Sequence, residues 1–184
     1  MLGMLILTGV LALSGCTSNS GNPEAYYDQV MDFQQAVFEQ EEMLIQAVNR
    51  EMDRGISDST VIDDTAKIPY VRMAYIDFCR QIDSSLASLE KLGPFGEDRS
   101  LLEATRSLLE HYKKLSKKEY LEIVTITEIP RADYQSQHDE ELQLLYQTID
   151  AELEKDVLRF STACKTFSTA QGFQIVEYNH PNPQ

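Results

Sequence analysis

Residues 136–173 read SQHDEELQLLYQTIDAELEKDVLRFSTACKTFSTAQGF, and this stretch decides the fold class. Its apolar side chains recur in steps of three and four, which is the period of one face of an α-helix. This ladder consists of Leu142, Leu145, Ile149, Leu153, Val157, Phe160, Cys164 and Phe167. At its end Gln171-Gly172-Phe173 is typical of a glycine cap with a hydrophobic contact. At its start Asp133 and Ser136 are alternative N-caps, and Ser136 with Asp139 is close to a capping box.

Residues 24–54 form a second helical pattern without an internal Gly or Pro. Acidic Glu24 and Asp28 near its start and basic Arg50 and Arg54 near its end suit the helix dipole. Gly55 offers a C-terminal stop. The apolar face of this predicted helix carries Tyr26, Val30, Phe33, Val37, Leu44, Val48 and Met52.

Two more helices are predicted between these stretches. The first follows turn residues at 56–60 and is kinked at Pro69 or begins there, because proline lacks an amide donor. Its apolar positions are Val61, Ile62, Met73, Ile76, Cys79, Ile82, Leu86 and Leu89, and Gly93-Pro94-Phe95-Gly96 ends it. The second is capped by Asp98. Its apolar positions are Leu101, Leu102, Leu108, Leu109, Tyr112, Leu115, Tyr120 and Ile123.

Residues 123–127 are β-branched throughout, a composition that favours a strand. No second strand pattern lies nearby to pair with them, and an unpaired strand would leave its backbone unsatisfied. We therefore expect the helix to continue to about Glu128 and to end before Pro130. Four helices joined by short turns predict an all-α fold, an antiparallel up-down-up-down four-helix bundle.

The chain is strongly acidic, with 16 Lys and Arg against 30 Asp and Glu, a formal net charge of -14. Such a surface repels nucleic acid and anionic lipid headgroups at long range. The one dense group of lysines lies at 113–118, and its positive charge is balanced by Glu110, Glu119 and Glu122 on neighbouring turns. We therefore expect no nucleic-acid partner, and attachment to a membrane would need a lipid.

A short apolar segment at the N-terminus supplies a position for such a lipid. Residues 1–13 are uncharged and largely apolar, and Leu13-Ser14-Gly15-Cys16 follows them. The run is shorter than the roughly 20 residues of a membrane-spanning helix, so it is typical of a signal segment. It resembles bacterial lipoprotein signal peptides, in which the cysteine matching Cys16 becomes the lipidated N-terminus. Such signals begin with Lys or Arg, whereas Arg50 is the first basic residue here, which suggests a translation start further upstream.

This resemblance gives the expected domain organisation. Residues 1–15 form the signal peptide, residues 16–23 the lipidated Cys16 and a flexible tether, residues 24–173 the bundle, and residues 174–184 a loosely ordered tail. The resemblance implies a lipid anchor of the palmitate type in the cell envelope. Because Thr17 is not Asp, the residue that often retains such proteins at the inner membrane, it favours the outer membrane.

The rest of the chain is similar to a family of uncharacterised helical bacterial surface lipoproteins. The shared features are Tyr26-Tyr27 at the start of helix one, Leu92-Gly93-Pro94-Phe95 before helix three, residues 108–112 (LLEHY) within it, and Phe167 with Gly172-Phe173 at the end. The resemblance implies a helical surface lipoprotein. It brings no catalytic residues with it.

With Cys16 acylated, Cys79 and Cys164 remain as an even pair in a compartment that can oxidise thiols. Both lie on apolar faces at helical spacing. They are interpreted as buried free thiols, and a disulfide is the alternative if their Cα atoms come within about 7 Å.

The sequence contains none of the catalytic or cofactor motifs that this fold class suggests. Di-iron sites in helical bundles need Glu-x-x-His pairs, but Leu108 and Gln135 stand three residues before His111 and His138. His180 lies in the tail. Haem ligation by His111 or Met43 lacks a supporting motif, and no nucleophile elbow or phosphate loop is present. We therefore expect no enzyme and no cofactor.

Two clusters remain as candidate binding surfaces. Acidic side chains on helices one and four either form a solvated face or gather divalent cations weakly; they are Glu39, Glu41, Glu42, Asp150, Glu152, Glu154 and Asp156. Tyr70 and Tyr75, beside Pro69, are a possible protein-partner patch. The leading hypothesis is a non-enzymatic, lipid-anchored structural or partner-binding module. The alternative is a lipoprotein that binds a small ligand or a divalent cation.

Overall fold

The computed structural model describes residues 21–57 and 70–175, and over these ranges the fold is all-α. The helices are α1 (Pro23–Ser57), α2 (Tyr70–Leu92), α3 (Ser100–Ser116), α4 (Glu119–Thr127) and α5 (Ser136–Gln171). α3 and α4 together fill the third position of a four-helix arrangement, which confirms the predicted fold class. Residues 1–20, which include the predicted signal segment and Cys16, and residues 58–69 and 176–184 lie outside the described ranges.

Successive helices of the bundle run antiparallel. At one end the Tyr26 hydroxyl of α1 donates to the Gly93 carbonyl after α2, at 2.9 Å. At the other end the Tyr75 hydroxyl of α2 donates to the Ser116 carbonyl of α3, also at 2.9 Å. The Phe167 ring near the end of α5 lies 5.6 Å from the Tyr26 ring. These contacts describe an up-down-up-down bundle.

A group of aromatic rings, here named the aromatic end cluster, joins the start of α1 to the end of α5. It comprises Tyr26, Phe95, Phe167 and Phe173. Phe95 comes from the turn between α2 and α3 and lies 5.2 Å from Tyr26 and 5.6 Å from Phe167. Tilted and edge-on pairs at such distances are favourable beyond the area that they bury.

The core between the helices is continuous, and the predicted faces of α1 and α3 are confirmed. Its largest fully buried side chains come from every position of the bundle. They are Val30, Leu44, Phe78, Ile82, Leu89, Leu101, Leu108, Leu109, Leu115, Tyr120, Ile123 and Phe167. Burial of an apolar side chain of this size stabilises the fold by about 1.5 to 3 kcal/mol.

The buried face of α2 differs from the prediction. Met73 is 50% exposed, and Ile76 and Cys79 are only partly buried, whereas the face centres on Phe78 and Ser85. The Ser85 hydroxyl donates to the Phe33 carbonyl of α1 at 2.8 Å. A satisfied serine can therefore occupy the core, and hydrophobic periodicity does not detect it.

The third predicted helix is interrupted between α3 and α4. Lys117 and Lys118 adopt tight turns instead of continuing the helix, with their amides bonded to Lys114 and Leu115 carbonyls at 3.2 and 3.1 Å. At this point the Ser116 carbonyl accepts a hydrogen bond from the Tyr75 hydroxyl, so a side chain of α2 bonds to a backbone carbonyl at the end of α3. The β-branched α4 is helical as predicted, and it ends at Thr127 before Pro130.

The helix ends confirm some predicted caps and correct others. Gly172 closes α5 in the left-handed region, with φ of 77°, as predicted. The Asp98 carboxylate accepts the Ser100 amide at 2.8 Å, so it caps α3 as expected. The start of α5 differs, because His138 Nδ1 accepts the Gln135 amide and places the capping box one residue earlier. α1 also continues through Gly55 to Ser57.

The two cysteines that the structure describes are free thiols; Cys164 is buried as predicted, whereas Cys79 is only partly buried. The Cys164 sulfur lies 3.9 Å from the Met31 sulfur of α1, and burial raises the pKa of Cys164 to about 11. Within the described residues, none of the helices combines the length and the apolar character that crossing a bilayer requires.

Candidate functional site

The seam between α1 and α5 is the open side of the bundle. α1 packs mainly against α2 and α5 mainly against α3, so α1 and α5 contact each other sparsely. An open groove of about 720 Å³ follows this seam. We name it the seam groove. Its lining residues are Glu41 and Ile45 of α1, Tyr112 of α3, and Asp150, Leu153, Glu154, Val157, Leu158 and Ser161 of α5.

Val157 lies in this groove, and here the predicted apolar ladder of α5 is wrong. Val157 is 41% exposed. The side chain that turns toward α3 is its neighbour Asp156, whose carboxylate accepts the Ser107 hydroxyl at 2.9 Å. This partner satisfies a partly buried acid, so the inward face of α5 includes a polar position that hydrophobic spacing does not reveal.

Leu158, the next residue, is 67% exposed and also lines the groove. Together with Val157, Leu153 and Ile45 it gives the seam groove an apolar lining that spans both helices. Contiguous apolar surface on an otherwise acidic protein is typical of an interaction site.

Glu41 forms the floor of the groove, and its carboxylate is held by two tyrosines. The Tyr112 hydroxyl of α3 donates to one carboxylate oxygen at 2.9 Å, and the Tyr120 hydroxyl of α4 donates to the other. Both tyrosines are buried, at 3% and 1% exposure. Glu41 was predicted on a solvated face. The structure instead places it partly buried between three helices.

The ionisation of this group follows from its surroundings. Burial raises the pKa of Glu41, the hydrogen bonds from Tyr120 and Tyr112 act against that rise, and the nearby Asp150 adds to it. Burial and the facing Glu41 carboxylate raise the pKa of both tyrosines, so they remain protonated donors. The Glu41 carboxylate therefore binds a proton more readily than an isolated glutamate does.

Asp150 and Glu154 lie on the rim of the groove, one turn apart on α5. Both are exposed, and neither has an ion-pair partner among the residues that the structure describes. The lining of the seam groove contains no Lys or Arg. The charged side chains of the lining, Glu41, Asp150 and Glu154, are therefore all acidic.

A second polar cluster joins α3 to α5 on the other side of α5. His111 Nδ1 lies 2.7 Å from the Asp156 carboxylate, and Nε2 lies 3.1 Å from that of Glu152. Burial opposes ionisation of Asp156, but the hydrogen bonds from His111 and Ser107 lower its pKa below the usual range. The Ser107 hydroxyl donates to Asp156 and not to His111, so the cluster lacks the serine-to-histidine contact of a nucleophilic triad.

The remaining predicted acidic residues do not converge. Over residues 21–57 and 70–175, no three His, Cys, Asp or Glu side chains are grouped so that they could hold a metal ion. Glu39 and Glu42 are bonded to Gln35 and Gln46 on their own helix, at 3.3 and 3.1 Å.

Tyr70 and Tyr75, the predicted partner patch, occupy different environments. Tyr70 is 54% exposed. Tyr75 is packed against the core, its hydroxyl is bonded to Ser116, and burial raises its pKa to about 12. The structure therefore leaves Tyr70 as the exposed member of the pair and gives Tyr75 a packing role.

A smaller hollow of about 500 Å³ lies where α1 ends and α5 begins. Its lining includes Met52, Ile129, Arg131, Tyr134 and Asp139. The Tyr134 hydroxyl donates to the Asp139 carboxylate at 2.9 Å, so these two polar groups are engaged with each other.

Comparison of the chain with protein-family models, with curated proteins and with solved structures found no match. The roles of Glu41, Tyr112 and the other groove residues are therefore assigned from their contacts.

Proposed function

We propose that this chain is a lipid-anchored protein of the cell envelope that binds a protein partner through the seam groove and catalyses no reaction. The apolar N-terminal segment that ends in Leu13-Ser14-Gly15-Cys16 supports the anchor on Cys16, and Thr17 favours the outer membrane. The acidic surface, with its net charge of -14, disfavours nucleic acid as a partner.

The observation that carries the proposal is the apolar lining of an open groove. Val157 and Leu158 are 41% and 67% exposed and lie in one groove with Leu153 and Ile45. A protein partner could cover these side chains and remove their apolar surface from water, which is the usual source of binding free energy at an interface.

A second candidate function is supported by Glu41 and its two tyrosines. Three polar groups converge there from three helices, which suits a small cationic ligand. Small-molecule sites, however, usually enclose most of the ligand surface. The seam groove is open along the seam, so it favours a protein partner over a small ligand.

The test is site-specific crosslinking in membranes. A photoreactive amino acid replaces Leu158 in the lipidated protein, and the same amino acid replaces Ala87 in a control. Ala87 is exposed on α2, away from the groove. We expect a defined protein to crosslink at position 158 and not at position 87. Equal crosslinking at both positions, or none at position 158, would contradict the proposal.

A further inference from the structure

We propose that the segment recognised by the seam groove is a cationic amphipathic helix of about three turns on the partner protein. This inference rests on the proposed function and adds the chemistry of the partner. It is drawn from the shape of the groove, its apolar lining and its charge.

The shape of the groove suits a helix. The α5 residues that line it extend from Asp150 to Ser161, which at 1.5 Å per residue corresponds to about 16 Å of helix axis. The groove lies between two helices that contact each other sparsely. A helix that enters such a seam packs its own ridges against both neighbours, as in other helix-in-groove complexes.

The apolar lining supplies the contacts for one face of that helix. Val157 of α5 is 41% exposed, Ile45 of α1 is partly buried, and both line the groove beside Leu153, which is only 6% exposed. Leu158 extends this surface toward the solvent at 67% exposure. Apolar side chains spaced by three and four residues on the incoming helix would meet these positions.

The charge of the groove requires the other face of the incoming helix to be basic. Asp150 and Glu154 occupy the rim, and Glu41 lies at the floor. Arg159 of α5 acts electrostatically on Asp156, which bonds to α3 and does not line the groove. Lys or Arg side chains would neutralise the rim acids and steer association.

A second copy of this chain fits poorly in the same place. Its net charge is also -14, so the acidic rims of two copies would repel each other. The complementary surface is therefore expected on a different, basic partner.

The experiment measures binding of designed peptides to the full-length lipidated chain in a non-ionic detergent. The first peptide is a fluorescent helix of about fourteen residues, with leucines at i, i+3, i+4 and i+7 spacing and lysines elsewhere. Its acidic twin carries glutamates in place of lysines, and a scrambled twin distributes the same residues around the helix. Fluorescence anisotropy gives the dissociation constants.

We expect the cationic amphipathic peptide alone to bind, and its affinity to fall when salt is raised from about 0.05 to about 0.5 M because exposed charges are screened. Leu158→Ser should weaken binding about tenfold, as loss of an apolar interface anchor does. Glu154→Gln should weaken it roughly threefold, as loss of an exposed ion pair does.

Matched controls exist on the same helix. Leu144 is 63% exposed and Glu140 is exposed, and both lie outside the groove lining. Leu144→Ser and Glu140→Gln should leave the affinity unchanged. Equal binding of the acidic or scrambled peptide, equal losses in the two leucine variants, or no binding of the cationic peptide would each overturn the inference.

Two further outcomes separate this inference from the function on which it rests. A protein that crosslinks at position 158 while the cationic peptide fails to bind would retain the proposed function and overturn the partner chemistry. A dimer of the full-length chain that is lost in Leu158→Ser would mean that a second copy fills the groove, and would also overturn it.

Discussion

At the scale of single residues, Glu41 has the most unusual environment in the described part of the chain. Its carboxylate joins α1 to α3 and α4 through Tyr112 and Tyr120. Because burial raises its pKa above the value of the unfolded chain, folding favours the protonated form. The stability that this group contributes is complete below the unfolded pKa, near about 4.3, and is lost as pH rises through the folded pKa.

Glu41→Gln should therefore change the pH dependence of stability. The amide is neutral and keeps a similar shape. We expect the free energy of unfolding of the variant, relative to the unaltered protein, to increase as the pH rises above about 4.3, the ordinary pKa of glutamate. Urea unfolding at several pH values measures this difference. Glu42→Gln, on an exposed neighbour, is the control and should show no such trend. A constant or falling difference for Glu41→Gln would contradict the assigned environment.

Phe160 and Glu154 provide a contrast on one helix. Phe160 is 8% exposed and Glu154 is exposed. Phe160→Ala should lower the free energy of unfolding by about 3 to 5 kcal/mol because it leaves a cavity in the core. Glu154→Ala should change it by less than about 0.5 kcal/mol. Urea unfolding of both variants measures the two values, and similar midpoints would show that the face of α5 has been assigned wrongly.

The sequence contains a signal for the burial of Glu41, but the search for apolar periodicity does not detect it. The buried positions of α1 step by seven residues from Val37 to Leu44, and Glu41 fills the missing rung between them. Gln34, between Val30 and Val37, fills another and is only 2% exposed. A polar residue at such a gap is either exposed to solvent, where the helix bends away from the core, or buried, usually with hydrogen-bond partners. The partners of Glu41 are more than seventy residues distant in sequence, so spacing alone cannot decide between these outcomes.

At the scale of helices, the end of α5 was predictable and the break between α3 and α4 was not. The glycine cap of α5 is local, since it depends on Gly172 and the residues beside it. The interruption between α3 and α4 coincides with a long-range contact, since the Tyr75 hydroxyl of α2 donates to the Ser116 carbonyl there. Local composition therefore predicted that residues 119–127 continue a helical region but not that the helix breaks before them.

Gly172→Ala tests the cap at the end of α5. A Cβ added at this position would meet no atom within 4 Å, and φ is +77°. The cost is therefore that of a left-handed backbone, about 1 to 2 kcal/mol for a residue with a Cβ. We expect thermal or urea unfolding to show this loss. Gly172→Asn should cost less, since asparagine tolerates that conformation better. Equal effects of Ala and Asn would argue against backbone strain as the cause.

At the scale of the whole molecule, the all-α class followed from periodicity because every helix buries an apolar stripe. The seam groove could not be predicted in this way. The groove exists because α1 packs mainly against α2 and α5 packs mainly against α3. Such relative placement of helices depends on side chains from all of them together. The placement of Asp156 on a solvated face failed for the same reason, since Asp156 is partly buried and bonded to His111 of α3, whereas Glu152 is exposed as predicted.

Cys16→Ala tests the proposed anchor. Without a thiol at this position no thioether-linked lipid can form, so we expect the variant to lose incorporation of labelled fatty acid and to leave the membrane fraction. Cys79→Ala is the control and should be labelled like the unaltered protein. Labelling that persists in Cys16→Ala would contradict the anchor. Density separation of the membranes of the unaltered protein tests the preference for the outer membrane.

The aromatic end cluster has a consequence for connectivity. Tyr26 near the start of α1 and Phe167 near the end of α5 are in ring contact, and Phe173 lies 6.1 Å from Phe167. The first and last helices therefore meet at one end of the bundle, beside the turn that carries Phe95. A circular permutant that joins residue 175 to residue 21 by a short linker and opens the chain at Gly96 should retain the helix packing. The order of the helices along the chain could then be changed, whereas the contacts between neighbouring helices around the core would stay the same.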